Sequence, residues 1–369
     1  MKILITGSNG FIARNLIMEL KNKGYRELLL VNRETSEELL YRYALECDTV
    51  IHLAGVNRPE REEEYYFGNV TFTKKLISYL SKNTKKLHII FASSIQAGKE
   101  NLYGISKRTA EELFDTFASN YDVRLSIYRL PNVFGKWCKP NYNSVVATFC
   151  YNIVRGKEIR IDDPNAEIEL VYIDDVIRAW IGELEARNEK REKYSKIKGS
   201  FFLTVGELAN ILFSFADYHV NLKVPNLTNL WEKNLYSTYT SYLEAEQLRY
   251  ELEMHQDNRG SFTEFLKTEE SGQVSINITK PRITRGNHWH HTKIEKFVVV
   301  RGQASIKMRH MITNEKMEFI VSGEKLEVVD IPVGYTHNIT NIGNEDLITI
   351  MWANEIFDKE NPDTYYEEV

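Results

Sequence analysis

Between Arg285 and Gly302 the chain reads R-G-N-H-W-H-H-T-K-I-E-K-F-V-V-V-R-G. His288 and His290 alternate, so on a β-strand both rings leave from one face. Glu295 follows, and an apolar run from Phe297 to Val300 leads to a turn at Gly302. A later segment, P-V-G-Y-T-H, delivers His337 after the turn-forming pair Pro332 and Gly334, and Asn341 closes it. Two imidazoles on one strand, a carboxylate on the next and a distant third imidazole make a metal-ligand set of His288, His290, Glu295 and His337. Such nitrogen and oxygen donors suit zinc, iron, nickel or manganese, and zinc is expected where no redox chemistry is needed. A single histidine is more often solvated or packed in a core; the joint spacing favours ligation. His291 breaks that spacing and, on an extended chain, faces the other way.

Strand-like segments recur around these ligands at Gly272 to Thr279, Lys296 to Val300, Ala304 to His310, Lys316 to Ile320, Glu327 to Ile331 and Leu347 to Trp352. Gly and Asn turns separate them, which suits an all-β barrel. The H-x-H…E…G and P-x-G-x-x-H-x-x-x-N patterns resemble the two signature motifs of the cupin superfamily, small β-barrels with a metal inside. Arg282 and Leu326 stand where that family has turn glycines. Asp257-Asn258-Arg259-Gly260-Ser261-Phe262 and Arg285-Gly286-Asn287-His288 resemble segments of cupin-type nucleotide-sugar epimerases and ketoisomerases. That resemblance implies proton movement next to a sugar ketone.

The other end of the chain opens with a short apolar run, K-I-L-I-T, at once followed by Gly7-Ser8-Asn9-Gly10-Phe11-Ile12-Ala13 and a helical pattern to Asn22. Strand, glycine turn and helix in succession fit a dinucleotide pyrophosphate: glycines admit the phosphates and the helix N-terminus attracts their charge. Gly7, Asn9, Gly10, Phe11 and Ile12 are therefore expected at the cofactor. Two glycines in a turn are common; the position at the head of a βαβ pattern gives them weight. Leu28 to Val31 reads as the second strand and ends in Asn32-Arg33 rather than the acidic residue that suits NADH. Arg33 favours a ribose 2'-phosphate, so NADPH is the expected cofactor. Thr49 to Leu53, leading to Leu53 and Ala54 at the cofactor, and Leu87 to Ala92 are the next strands, and their alternation with helices indicates a doubly wound parallel sheet.

Past the fourth strand come Ser93-Ser94 and then Tyr103-Gly104-Ile105-Ser106-Lys107. Tyr and Lys four apart share a helix face, and a nearby ammonium helps a phenol exchange protons near neutrality. Ser94 can hydrogen-bond a carbonyl oxygen, and Lys107 can also hold the nicotinamide ribose. An exposed Tyr–Lys helix pair is the bland alternative. With His52-Leu53-Ala54-Gly55, Asn69-Val70, Arg129-Leu130-Pro131-Asn132-Val133-Phe134-Gly135 and Val171-Tyr172-Ile173-Asp174-Asp175-Val176, the first 245 or so residues resemble the extended short-chain dehydrogenase/reductases that act on nucleotide sugars. The segment between Ser94 and Tyr103 is shorter than is usual there.

These readings divide the chain into residues 1–246, a Rossmann-like NADPH-binding reductase domain, and residues 247–369, a metal-binding cupin barrel. The combination resembles the bifunctional capsular-polysaccharide enzymes of UDP-N-acetyl-L-fucosamine synthesis. That resemblance implies a UDP-sugar substrate, C3 epimerisation in the barrel and C4 reduction by the N-terminal domain. Competing expectations are an NAD-retaining epimerase or dehydratase with a non-catalytic sugar-binding barrel, and an NADPH sensor. A dehydratase wants an acid and base beside Ser94, where Ile95-Gln96 stand; a sensor has no need of Tyr103 and Lys107. Net charge is -5, which argues against nucleic acid, and three scattered cysteines suit a reducing compartment. With no bilayer-length apolar run and no signal-peptide pattern, a cytoplasmic protein is expected, paired as a homodimer through the cupin domain.

Overall fold

The computed structural model describes residues 1–186 and 192–369. They form two compact units, Met1–Leu212 with Asn234–Leu243, and Phe213–Lys233 with Glu244–Val369. The charged stretch from Gly182 to Gly199, expected to be a solvated helix and loop, lies partly outside the described residues.

The chain begins β1 (Ile3–Thr6), α1 (Phe11–Asn22), β2 (Leu28–Val31), α2 (Glu37–Glu46), β3 (Thr49–His52), α3 (Glu63–Tyr65), α4 (Phe72–Leu80), β4 (His88–Ser94) and α5 (Leu102–Tyr121). It continues β5 (Arg124–Leu130), β6 (Asn132–Phe134), α6 (Val145–Val154), β7 (Glu167–Tyr172), α7 (Ile173–Glu185), β8 (Tyr194–Ser195), β9 (Phe201–Thr204), α8 (Val205–Asn221) and α9 (Leu230–Thr240). Strands in the order β2-β1-β3-β4-β5-β8 make one parallel sheet, and β6-β7-β9 a small second one. All residues of β1 and β3 are buried, because helices cover both faces. Leu16 and Leu20 of α1 pack with Trp180 and Ile181 of α7 on one face. Leu40 of α2, Leu76 and Leu80 of α4, and Phe114 and Phe117 of α5 cover the other. Each such side chain contributes roughly 1.5–3 kcal/mol by leaving water. The doubly wound sheet expected from the sequence is present. After α9 ends at Thr240, Glu244 caps a separate 3₁₀ turn, Ala245–Leu248, through a reciprocal bond with Gln247.

The second unit holds β10 (His255–Asp257), β11 (Gly260–Thr268), β12 (Gly272–Thr279), β13 (Thr284–Trp289), β14 (Glu295–Arg301), β15 (Gln303–His310), β16 (Lys316–Ser322), β17 (Val328–Ile331), β18 (Tyr335–Asn341), β19 (Leu347–Ala353) and β20 (Tyr365–Tyr366). Two antiparallel sheets, β10-β11-β12-β19-β14-β17 and β16-β15-β18-β13-β20, give the all-β architecture read from the sequence. Phe297, Val299, Ile306, Met308 and Ile339 fill one part of the interior. On β12 the inward residues are polar: Gln273, Ser275, Asn277 and Thr279 are buried, while Val274, Ile276 and Ile278 are only partly covered.

Two irregularities shape β13. Arg282, in a position where cupins have glycine, adopts φ +63°, and its guanidinium bonds Ile342 O at 2.9 Å and Asn344 Oδ1 at 2.9 Å. A bulge between Gly286 and His288, with φ +100° at Gly286 and +59° at Asn287, shifts the register so that His288 lies opposite His337. A Cβ on Gly286 would lie 2.8 Å from His337 O, so this close approach needs glycine. Among the described residues no helix is long and apolar enough to cross a membrane.

Candidate functional site

The turn after β1 has the form a phosphate requires. Gly7 takes φ +68°, and a Cβ there would sit 2.8 Å from Ala54 N, so only glycine lets this turn close on the chain after β3. Gly10 begins α1 with no side-chain cap, which leaves the N–H groups of the first turn, Phe11 and Ile12 among them, for an outside acceptor. Asn9 lies exposed in the same turn. Past β2, Asn32 Oδ1 accepts from Glu34 N at 2.9 Å and fixes a tight turn. Arg33 is exposed on that turn and has no carboxylate partner among the described residues.

A buried relay locks the neighbouring loop. Leu53 N and Ala54 N both donate to Thr6 Oγ1, at 3.2 and 3.1 Å. The Thr6 hydroxyl therefore gives its own proton to His52 Nδ1, 2.9 Å away, and His52 Nε2 donates to Thr73 Oγ1 at 3.2 Å. Thr73 then donates to Asn69 O at 2.6 Å. His52 is held neutral: burial, then the charge of Lys107, push its pKa down to about 3. Asn69 sits in a π-helical turn, Tyr66–Thr71, whose wide pitch aims its amide at three partners. It bonds both main-chain groups of Val56 and the Ser106 hydroxyl. The sequence contains Asn69, but a role for it is invisible without that turn.

Ser94, Tyr103 and Lys107 meet at the carboxyl end of β4. Asn101 Oδ1 caps α5 by accepting from Gly104 N at 2.8 Å, and its amide donates to Gln96, so the short segment before Tyr103 folds tightly. Gly104 is essential to this packing: a Cβ would be 2.1 Å from Gln96 O. Burial raises the Tyr103 pKa, and the Ser94 hydroxyl acts against it. Ser93 turns elsewhere and donates to Glu111 at 2.5 Å, so Ser94 is the serine brought to Tyr103. Lys107 is 5% exposed. Its ammonium donates to Ala92 O at 2.7 Å and lies over the Phe91 ring. Burial brings its pKa down to about 8, opposed by Glu111 one turn further along α5. Glu111, itself buried, takes Arg129 through Nε at 3.0 Å and Nη2 at 2.6 Å. This supporting carboxylate lies outside the motif read from the sequence; the i+4 spacing from Lys107 was its one local signal.

In the second unit His288, His290, Glu295 and His337 converge, with their ligand atoms all within 4.8 Å of one another. His290 lies just past the end of β13, and its Nε2 is 3.3 Å from Glu295 Oε2. His337 Nε2 is 3.0 Å from the same oxygen, yet neither of its buried ring nitrogens makes a well-aligned hydrogen bond. The His337 nitrogen, close to the carboxylate but off the hydrogen-bonding line, has the placement a metal ligand would have. Burial, then His337, lowers the His288 pKa to about 4, so a neutral ring with a free lone pair is favoured. Burial would raise the Glu295 pKa, but His290 and His337 hold it below the usual carboxylate range. An ionised carboxylate beside the neutral His288 ring suits a divalent cation. His291 is exposed and packs against Trp289 and Tyr365, whereas Lys293 is buried with its ammonium 3.0 Å from Pro362 O.

Residues 3–195 match the family described as NAD dependent epimerase/dehydratase, and residues 255–365 match the polysaccharide biosynthesis C-terminal domain. The chain is 43% identical over 365 residues to the UDP-2-acetamido-2,6-beta-L-arabino-hexul-4-ose reductase of Pseudomonas aeruginosa, covering 99% of this chain and 98% of that one. The crystal structure of capsular polysaccharide assembling protein CapF from Staphylococcus aureus matches with a TM-score of 0.92 and 49% identity over all of both chains. UDP-glucose 4-epimerase from Thermotoga maritima, at 24% identity and a TM-score of 0.57 over 68% of this chain and all of that one, shares the fold. The Pseudomonas relative and the Staphylococcus structure match essentially the whole chain, across both matched families: the chain belongs to the NAD dependent epimerase/dehydratase family and carries a polysaccharide biosynthesis C-terminal domain.

Proposed function

We propose that this chain is a bifunctional nucleotide-sugar enzyme. Its barrel epimerises C3 of a UDP-2-acetamido-2,6-dideoxy-hexos-4-ulose, and its N-terminal domain reduces the C4 ketone with NADPH to UDP-2-acetamido-2,6-dideoxy-L-talose. The observation that carries the reductase half is the meeting of Ser94, Tyr103 and buried Lys107 at the end of β4, in a unit whose α1 begins uncapped. The name borne by the Pseudomonas relative supports the substrate class.

In this reading Gly7, Asn9, Gly10, Phe11 and Ile12 hold the cofactor pyrophosphate, Leu53 and Ala54 line its path, and Arg33 binds a ribose 2'-phosphate. NADPH, when bound, supplies the hydride. Ser94 donates a hydrogen bond to the C4 oxygen and Tyr103 gives it a proton. Lys107 holds the nicotinamide ribose and, by its charge, eases that transfer.

His288, His290, Glu295 and His337 hold a divalent metal, zinc by preference. The ion would supply positive charge beside the sugar ketone, which lowers the cost of losing the neighbouring C3 proton. The protein works in the cytoplasm as a homodimer joined through the C-terminal domain.

The test is a proton-exchange assay. The enzyme is incubated with the UDP-4-ketosugar in heavy water without NADPH, and deuterium at C3 is followed by NMR; NADPH is then added and its absorbance read. Exchange that is lost in His290→Ala and kept in Tyr103→Phe is the expected result. NADPH consumption without exchange would reduce the barrel to a binding or structural module.

A further inference from the structure

The turn between the ligands His290 and Glu295 has its main-chain N–H groups facing outward, and a remote segment of the chain covers them. Asp363 Oδ1 accepts from His291 N at 3.0 Å, and its Oδ2 accepts from Thr292 N at 2.9 Å and Lys293 N at 3.0 Å. The Thr292 hydroxyl also lies 3.1 Å from this carboxylate and shares its single proton between it and the nearer Glu355 Oε1, 2.7 Å away. The main-chain carbonyl of Asp363 meets His290 itself, 2.5 Å from Nδ1. A carbonyl only accepts, so Nδ1 carries the proton, and Nε2, 3.3 Å from Glu295 Oε2, is the nitrogen a metal shared with Glu295 would take. One residue therefore selects the ring's tautomer and clamps the turn that carries the ring. Asp363 takes φ +30° to do both.

The neighbours of Asp363 hold it there. Lys293 Nζ donates to Pro362 O at 3.0 Å. β20 pairs with β13, placing Tyr366 opposite His288 and Tyr365 opposite Trp289. Glu367 N donates to Asn287 O at 3.0 Å, and Arg309 Nη2 bonds Glu367 Oε1 at 2.8 Å. The strap thus runs along the ligand strand itself.

We propose that Asp363 is a positioning residue of the metal centre, and that the strap from Pro362 to Glu367 sets how tightly the barrel keeps its ion. This rests on the metal reading given above. Partners that orient ligating histidines typically change metal affinity about 10–100-fold when removed. Asp363→Ala leaves three main-chain N–H groups without their acceptor and frees the turn. Zinc affinity is expected to fall within that range. Asp363→Asn keeps a carbonyl oxygen for part of the set and should recover most of the affinity.

The experiment uses the full chain, stripped of metal and titrated with zinc(II) against a chromophoric chelator, with thermal melting of the stripped proteins alongside. A merely structural role would lower the melting temperature of the stripped Asp363→Ala protein and leave the zinc Kd of the folded protein unchanged; that result overturns the proposal. A weakened Kd in Asp363→Ala, largely restored in Asp363→Asn, supports it. Should Asp363→Ala not fold, Lys293→Met decides, since it removes the ammonium's grip on Pro362 and Thr364 and leaves the Asp363 carboxylate in place. Several-fold faster loss of zinc to excess chelator supports the proposal, and an unchanged rate overturns it. A wild-type protein that binds no zinc, nickel or manganese would instead refute the metal reading, and this inference with it.

Discussion

Glu183 offers a sharp test of how the N-terminal unit is held together. Its side chain is fully buried in α7, and it accepts from His88 Nε2 at 2.8 Å and from the hydroxyls of Ser126 and Tyr128. Arg124 lies 3.8 Å away. Burial alone would raise its pKa; the bonds from His88, Ser126 and Tyr128 outweigh it and hold the value at about 2, against an ordinary 4.5. That difference corresponds to roughly 3 kcal/mol. Because the folded pKa is the lower one, this stabilisation is present above about pH 4.5 and is lost as pH falls toward about 2. Glu183→Gln removes the charge and turns two N–H donors toward groups that themselves donate. At pH 7 it should cost about 3 kcal/mol, or about 6–12 °C in melting temperature for a unit of this size. Calorimetric melts of both proteins from pH 7 down to pH 3.5 provide the assay, following the transition of the first unit. The gap should be widest at pH 7 and narrow below pH 4.5 as the wild type alone loses stability. A gap that stays constant over this range, or none at pH 7, refutes the reasoning.

Two other outcomes follow from the cofactor end. If Arg33 binds the ribose 2'-phosphate as proposed, Arg33→Ala should raise the KM for NADPH by about 10–100-fold and leave that for NADH nearly unchanged, because a charge-assisted phosphate contact would be lost; steady-state kinetics with both cofactors measure this, and equal shifts would refute the role. Lys107, with its pKa brought down to about 8 by burial, loses its charge as pH rises through that value. The reduction rate should therefore fall above about pH 8, and Lys107→Arg should remove that alkaline limb even if the rate is lower throughout; a pH–rate profile of each protein decides.

The parts of these sites that the sequence announces are those built by short, regular offsets. Tyr103 and Lys107 share a helix face by their spacing, and Gly7 and Gly10 bracket a turn. The His/Glu cluster is a harder case, and its legibility came from a family-like spacing: His288 reaches His337 only through the bulge at Gly286, which no alternation rule contains. Glu111 and Asn69 depend on where α5 and a π-helical turn point, and Asp363 sits in a stretch with no periodic signal at all. β12 exposes a further limit. An alternating pattern gives two faces without saying which is inside, and here the polar face of Gln273, Ser275, Asn277 and Thr279 is the buried one. Arg282 makes the converse point: a glycine absent from a turn left the turn intact, since its guanidinium bonds to Ile342 and Asn344 help hold a left-handed backbone.

The bond between His290 and Asp363 joins residues 73 apart in the chain. Closing so long a loop adds little thermodynamic penalty over a shorter one, since doubling a loop costs only about 0.6 kcal/mol. What it governs is timing. At a synthesis rate of about 5–20 residues per second, Asp363 emerges about 4–15 seconds after His290. His288, His290 and Glu295 leave the ribosome almost together, His337 follows, and the acceptor that chooses the ring tautomer comes last of all. Until then the turn's N–H groups face water and either imidazole nitrogen can carry the proton, so in a nascent chain the His/Glu cluster is assembled before its orientation is set.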